Sequence, residues 1–128
     1  MREEARRWWE LAVDNTGAAR RAMEAGDFHV AAFLAQQVAV PSMKALWIER
    51  KRELAPRTHE LSQLATGLGT PKELETGLLL LDPAYVNTRY PDAANGVPSR
   101  IYNGEIAARL IECAEQAFEW CRSQLGVS

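Results

Sequence analysis

Residues 103–126, NGEIAARLIECAEQAFEWCRSQLG, place Ile106, Leu110, Cys113, Ala114, Ala117, Phe118, Cys121 and Leu125 at steps of one, three and four. Apolar residues recurring in this way share one face of a helix with 3.6 residues per turn. Asn103 offers a side-chain oxygen to the first free backbone N–H groups, and Gly126 accepts the left-handed backbone that ends helices. The stretch predicts a helix from about Gly104 to Leu125 with a continuous apolar stripe. A single amphipathic helix cannot bury its own stripe, so the rest of the chain must supply partners.

Two more long helices are expected upstream. From Glu3 to Ala25, Ala5, Trp8, Trp9, Ala12, Val13, Ala19 and Met23 keep the helical period, while Arg6, Arg7, Arg20 and Arg21 sit mostly off the stripe. Gly26 supplies a stop and Asp27 a cap for a second helix, about Phe28 to Arg52, with Phe33, Leu34, Gln37, Val38, Ala45, Leu46 and Ile48 turned inward. Pro41 lacks an N–H and crowds the preceding turn, which predicts a kink near Gln37 to Pro41. The good helix formers from Lys44 onward predict that the helix continues past it. Thr58 is expected to cap a short helix to about Ala65, ended by Gly67 and Gly69. Thr70-Pro71-Lys72-Glu73 has the form of a capping box and predicts a helix from Pro71 to Leu81.

Between Asp82 and Tyr102, Pro83, Pro91, Asn95-Gly96 and Pro98 break any period, giving a long loop with one helical turn around Ala84 to Val86. Its tyrosines, Tyr85, Tyr90 and Tyr102, argue for packing against the body. Three long and two short helices, with no strand signal and no repeat, predict an all-α, antiparallel up-and-down bundle, one domain over residues 1–128.

Composition agrees with a globular chain: 128 residues, 47% hydrophobic and 25% charged. The formal net charge of −2 gives no general attraction to a polyanion. Locally, Lys44, Arg50, Lys51, Arg52 and Arg57 outweigh Glu49 and Glu53, a pattern that first of all complements a helix C-terminus. No apolar run is long enough for a membrane span, and the N-terminus lacks a signal-peptide core, so a cytoplasmic protein is expected. Cys113 and Cys121 would lie roughly 12 Å apart along one helix, too far for a disulfide. The only histidines are His29 and His59, and neither a metal site nor a cofactor is expected.

Phe33-Leu34-Ala35-Gln36-Gln37 followed by Lys44-Ala45-Leu46, then Thr58-His59-Glu60-Leu61, Arg89-Tyr90-Pro91-Asp92, and Tyr102 with the last helix to Trp120, together resemble the HEPN family (higher eukaryotes and prokaryotes nucleotide-binding) over residues 5–125. Val38-Ala39-Val40-Pro41 departs from the charged, uninterrupted turn more usual there. The resemblance implies a helical bundle, dimerisation, and pairing with a small nucleotidyltransferase in toxin–antitoxin-like systems. Many members are ribonucleases that use an arginine and a histidine separated by four to six residues; others lack the pair and serve in binding or scaffolding.

RNA cleavage through the 2′-hydroxyl needs a base that titrates near neutrality and a cation for the phosphorane. Arg52 and His59 have the right separation, yet with so many arginines in the chain this match arises readily by chance, and the pair falls early in the chain. Arg89 stands where the resemblance implies a catalytic arginine, but the residues four to seven beyond it are Ala93, Ala94, Asn95 and Gly96. Asp92 can act as a base only with a strongly raised pKa; otherwise Arg89 and Asp92 form a loop-fixing ion pair or Asx turn. Whether the chain is an enzyme is therefore left open, and His59 can serve Arg89 only if its loop folds beside the Asp82 to Tyr102 segment. The expected ligand cleft comprises Arg89, Tyr90, Asp92 and Tyr102, with Gln37 and Lys44 on the second helix and His59 nearby. RNA or a nucleotide is the expected ligand. Gln36 and Gln37, polar on an apolar face, must find hydrogen-bond partners, the late loop's backbone being one candidate. Trp8, Trp9 and Trp47 can stack on bases, but at helical spacing they more readily anchor a core or a dimer face. A two-fold homodimer is expected from the surplus of apolar surface.

Overall fold

The computed structural model describes residues 1–127. In chain order it contains α1 (Glu3–Ala25), α2 (Phe28–Lys51), α3 (Leu61–Leu68), a 3-10 turn (Lys72–Leu74), α4 (Glu75–Leu81), three single-turn helices, α5 (Ala84–Asn87), α6 (Pro91–Ala94) and α7 (Pro98–Ile101), and α8 (Gly104–Leu125). Among the described residues there is no strand, and the all-helical bundle expected from the periodicities is what forms.

The centre of the bundle is α2. It is apolar nearly all round, burying Ala31, Ala35, Val38, Ala39, Val40, Met43, Ala45 and Leu46, and both α1 and α8 pack along it. Ala5, Ala12 and Ala19, seven residues apart, are buried on α1, where small side chains permit close approach. Trp9 stacks on Phe118 with ring centroids 4.6 Å apart, joining α1 to α8. Val13 and Ile106, expected on the stripes, are exposed at the stripe edges.

Pro41 lies inside an unbroken α2. The carbonyl that its missing N–H would have bonded belongs to Gln37, and Asn15 Nδ2 of α1 donates to it at 2.8 Å. Ser42 Oγ donates to the Val38 carbonyl at 2.7 Å one step further along. The proline is thus tolerated because side chains take over the backbone groups it disturbs.

The short helices depart from expectation in instructive ways. The Thr70 capping box does not form: Pro71 is extended (ψ 146°), no side chain caps the turn, and helical geometry begins only at Lys72 as a tight 3-10 turn. Thr70 instead donates its N–H to Ala65 O (3.2 Å), closing α3. Thr58 does not cap α3 either; its Oγ1 accepts from Glu60 N–H at 3.0 Å in the turn before it. The cap comes from Asp82, whose carboxylate accepts from the N–H groups of Leu61 (2.7 Å) and Ser62 (3.4 Å). Gly67 lies within α3, and Gly69 ends it with φ 64°. The 82–102 segment is a chain of single turns, with Pro91 and Pro98 each opening one and Asn95 in the left-handed region ending α6.

Candidate functional site

The loop before α3 and the first turns after α4 meet because Asp82 ties one to the other. His59 is thereby laid on Tyr85, with ring centroids 3.8 Å apart and planes 15° from parallel. The Arg89 guanidinium carbon lies 4.0 Å from the Tyr85 centroid. Two groups can approach one ring this closely only from opposite faces, so His59, Tyr85 and Arg89 form a three-layer stack. Arg89 is further held by Nε donating to Tyr85 O at 2.7 Å and by the faces of Phe33 (5.4 Å) and Tyr90 (5.1 Å).

The main chain of His59 is fixed from α2. Gln36, fully buried, donates from Nε2 to His59 O at 2.9 Å, and Gln37 Nε2 donates to Gln36 Oε1 at 2.7 Å. The glutamine pair is therefore satisfied by the α2–α3 loop, not by the late loop. Burial, then the charges of Lys44 and Arg89, hold the His59 imidazole below its ordinary pKa of 6.5, which keeps it neutral at physiological pH. Lys44 itself is only 6% exposed, with its ammonium 4.8 Å from the Trp8 centroid, and burial lowers its pKa.

Of the residues singled out in the sequence, His59, Arg89 and Tyr90 come together around Tyr85, and Gln37 supports them through Gln36, whereas Lys44 lies against Trp8. Asp92 sits exposed in the first turn of α6 and, among the described residues, makes no ion pair or hydrogen bond with Arg89. Tyr102 packs against the core, and burial raises its hydroxyl pKa. Arg52 is held apart in the left-handed region (φ 56°) at the end of α2, in a groove with Arg2, Glu3 and Glu4. The rest of that basic helix end is structural: Arg50 donates to Leu68 O at 2.8 Å and lies 5.5 Å from the Trp120 centroid, and Lys51 lies 4.7 Å from that of Trp47. The sequence reading missed Tyr85 and Phe33 as parts of the cluster. The available signal was Tyr85 four residues before Arg89, a spacing that puts both on one side of a helical turn. Among the described residues, no group of three or more His, Cys, Asp or Glu side chains is arranged to hold a metal ion. No helix among them is long and apolar enough to cross a membrane.

Long helices packed on a buried α2, with the aromatic stack at their side, define the class first, an all-helical bundle. The model of the HEPN domain matches residues 5–124, and the chain belongs to that family. Three solved structures are similar to it. TT1696 from Thermus thermophilus shares 28% identity over 96% of this chain and 99% of its own, with a TM-score of 0.87. ST0689, an archaeal HEPN homologue, shares 30% identity over 97% and 99%, with a TM-score of 0.83. A HEPN domain protein of Thermotoga maritima, tm0613, shares 25% identity over 94% and 98%, with a TM-score of 0.71. No curated protein matches the chain.

Proposed function

We propose that this HEPN chain is a nucleotide- or nucleic-acid-associated module that works in the cytoplasm as a homodimer and partners a small nucleotidyltransferase in a toxin–antitoxin-like system. The observation that carries the ligand assignment is the stacking of Arg89 and His59 on Tyr85, with no ion pair to either among the described residues. Cations beside aromatic rings suit phosphates and bases. Exposed apolar side chains on and around α4 to α8, among them Leu79 (58%), Val97 (47%) and Ile106 (42%), support association with a second copy or a partner. The nucleotidyltransferase partnership rests on family membership alone.

A second reading, a ribonuclease acting through Arg89 and His59, is favoured by one specific feature. The loop contact that His59 needs to stand in for the missing histidine beyond Arg89 is present, and the imidazole is neutral, as a base must be. One experiment separates the two: binding and single-turnover cleavage of a mixed-sequence RNA by wild type, Arg89→Ala and His59→Ala. Binding weakened by the substitutions without cleavage supports the module. Cleavage abolished by both installs the ribonuclease, and no binding of RNA or nucleotide defeats both. Light scattering that shows a monomer at tens of micromolar would count against the homodimer.

A further inference from the structure

The outer ridge of α8 differs from its buried side in more than polarity. Glu105, Ala108, Glu112, Gln116 and Glu119 recur at steps of three and four and share one face, opposite the buried Leu110, Ala114, Ala117 and Cys121. Between this ridge and α4 runs a groove of about 610 Å³. Its floor is small and apolar. Gly77 of α4 comes so near α8 that a Cβ built there would lie 3.2 Å from the Cys113 Cβ, and Leu80, 41% exposed, and Ala108 line the same groove. A second depression of about 320 Å³ borders the ridge and shares Ala108, Glu112 and Gln116 with the first. The concave surface thus follows α8 from Glu105 to Glu119, about 21 Å at the helical rise.

The charge along it is one-sided. Glu73, Glu105 and Glu112 line the groove with Arg109 as its one cation, and among the described residues none of the four belongs to an ion pair. Glu115 and Glu119, on the second depression, are by contrast answered by Arg20 and Arg122. Carboxylates gathered along one groove repel one another, and a cationic partner relieves that repulsion while the floor buries its apolar side. The same charge tells against other occupants. A polyanion is repelled, and a second copy docked two-fold on this face would set carboxylate against carboxylate.

We propose that the groove between α4 and α8 is a docking site for a basic amphipathic helix of a protein partner. Its lysines or arginines lie against Glu73, Glu105 and Glu112, and its small apolar side chains lie on Gly77, Leu80 and Cys113. No residue of the Tyr85 stack lines the groove, so the inference goes beyond the ligand reading and does not depend on it.

The probe is a fluorescent, amidated helical peptide of about fourteen residues, matched to the length of the ridge, with lysines flanking an alanine–leucine stripe. A peptide of the same composition scrambled to break the stripe and one with glutamate in place of lysine are the controls. Fluorescence anisotropy with the full-length chain should show binding of the basic amphipathic peptide alone. Glu105→Gln/Glu112→Gln and Glu112→Lys should each weaken it by about tenfold or more, with melting temperatures unchanged. Glu10→Lys, which alters an exposed α1 carboxylate outside the groove, should leave it as it was. Cys113 gives a readout at the floor itself. It is half-buried whereas Cys121 is fully buried, so it should be the thiol that iodoacetamide labels in mild alkali, and bound peptide should protect it. No binding of the basic peptide, equal binding of the scrambled one, or equal weakening by Glu10→Lys overturns the docking site. So does a Cys113 that is closed to the reagent in the free chain or labelled unchanged at saturating peptide. Protection of Cys113 that rises with protein concentration in the absence of peptide overturns it in favour of a second copy.

Discussion

Replacing Gly67 by alanine should destabilise the protein, although the same change inside an ordinary exposed helix stabilises by about 1 kcal/mol. Gly67 lies within α3, and a Cβ built there would fall deep inside the van der Waals shells of Trp47 Cζ3 and Cη2 and 3.3 Å from Cε3. The indole must therefore move. It is half-buried against the main core and carries the Lys51 ammonium 4.7 Å from its centroid, so displacement loses packing on several sides. Overpacking costs about 1–3 kcal/mol, a collision this deep with a pinned indole falls in the upper part of that range, about 2–3, and the helix-propensity gain offsets about 1. The expected net loss of about 1–2 kcal/mol corresponds to a fall in melting temperature of roughly 3–8 °C for a chain of this size. Urea and thermal unfolding followed by circular dichroism measure it. A double-mutant cycle with Trp47→Leu supplies the control, because the smaller side chain removes the collision and should restore the ordinary benefit of alanine. A Gly67→Ala protein as stable as wild type or more so, with no coupling to Trp47, would refute the reasoning.

Asn15→Ala should cost about 1 kcal/mol in wild type and less in a Pro41→Ala background, where the restored N–H can serve the Gln37 carbonyl; additive losses would show that Asn15 has another role. Asp82→Ala removes the cap of α3 and should cost about 1 kcal/mol with faster amide exchange at Leu61 and Ser62, unchanged exchange being the contrary result. His59 has its folded-state pKa below the ordinary 6.5, so the unfolded chain takes up the proton first and stability should decline as pH falls below about 6.5, levelling off beneath the folded value. In His59→Gln this part of the acid-side decline should vanish, and an identical melting-temperature profile in both proteins would count against it. Burial pushes the Cys121 thiol up from 9.0 to about 12, so its contribution is intact below pH 9 and is lost as pH rises towards 12. Native protein should accordingly leave Cys121 unlabelled by iodoacetamide, as mass spectrometry can check.

The long helices were legible because their signals are local. Asn103 accepts from Ile106 N–H at 2.8 Å, and Gly26 and Gly126 end α1 and α8 in left-handed backbone, all within one turn of the residues that announced them. The capping box at Thr70 failed because Pro71, extended, pushed the start of the helix one residue on. The turns α5 to α7, four residues each, are too short to show a period, so the segment looked like loop. The site was the hardest part to see: Arg89 and His59 are thirty positions apart in sequence, and the tertiary bonds that hold the two segments, Leu61 N–H to Asp82 and Gln36 to the His59 carbonyl, leave no local signal.

The first of these bonds also fixes where the architecture can change. With Asp82 joined to Leu61, residues 61–82 are a closed excursion with His59 and Arg89 just outside its two ends and Gly69 to Pro71 at its tip. Chain added at the tip lengthens a loop whose ends are already pinned, which costs little closure entropy. The excursion is thus a natural port for grafting: a reporter peptide or a second binding element inserted between Gly69 and Thr70 should leave the stack of His59, Tyr85 and Arg89 in place, whereas the same insertion between His59 and Leu61 would pull it apart.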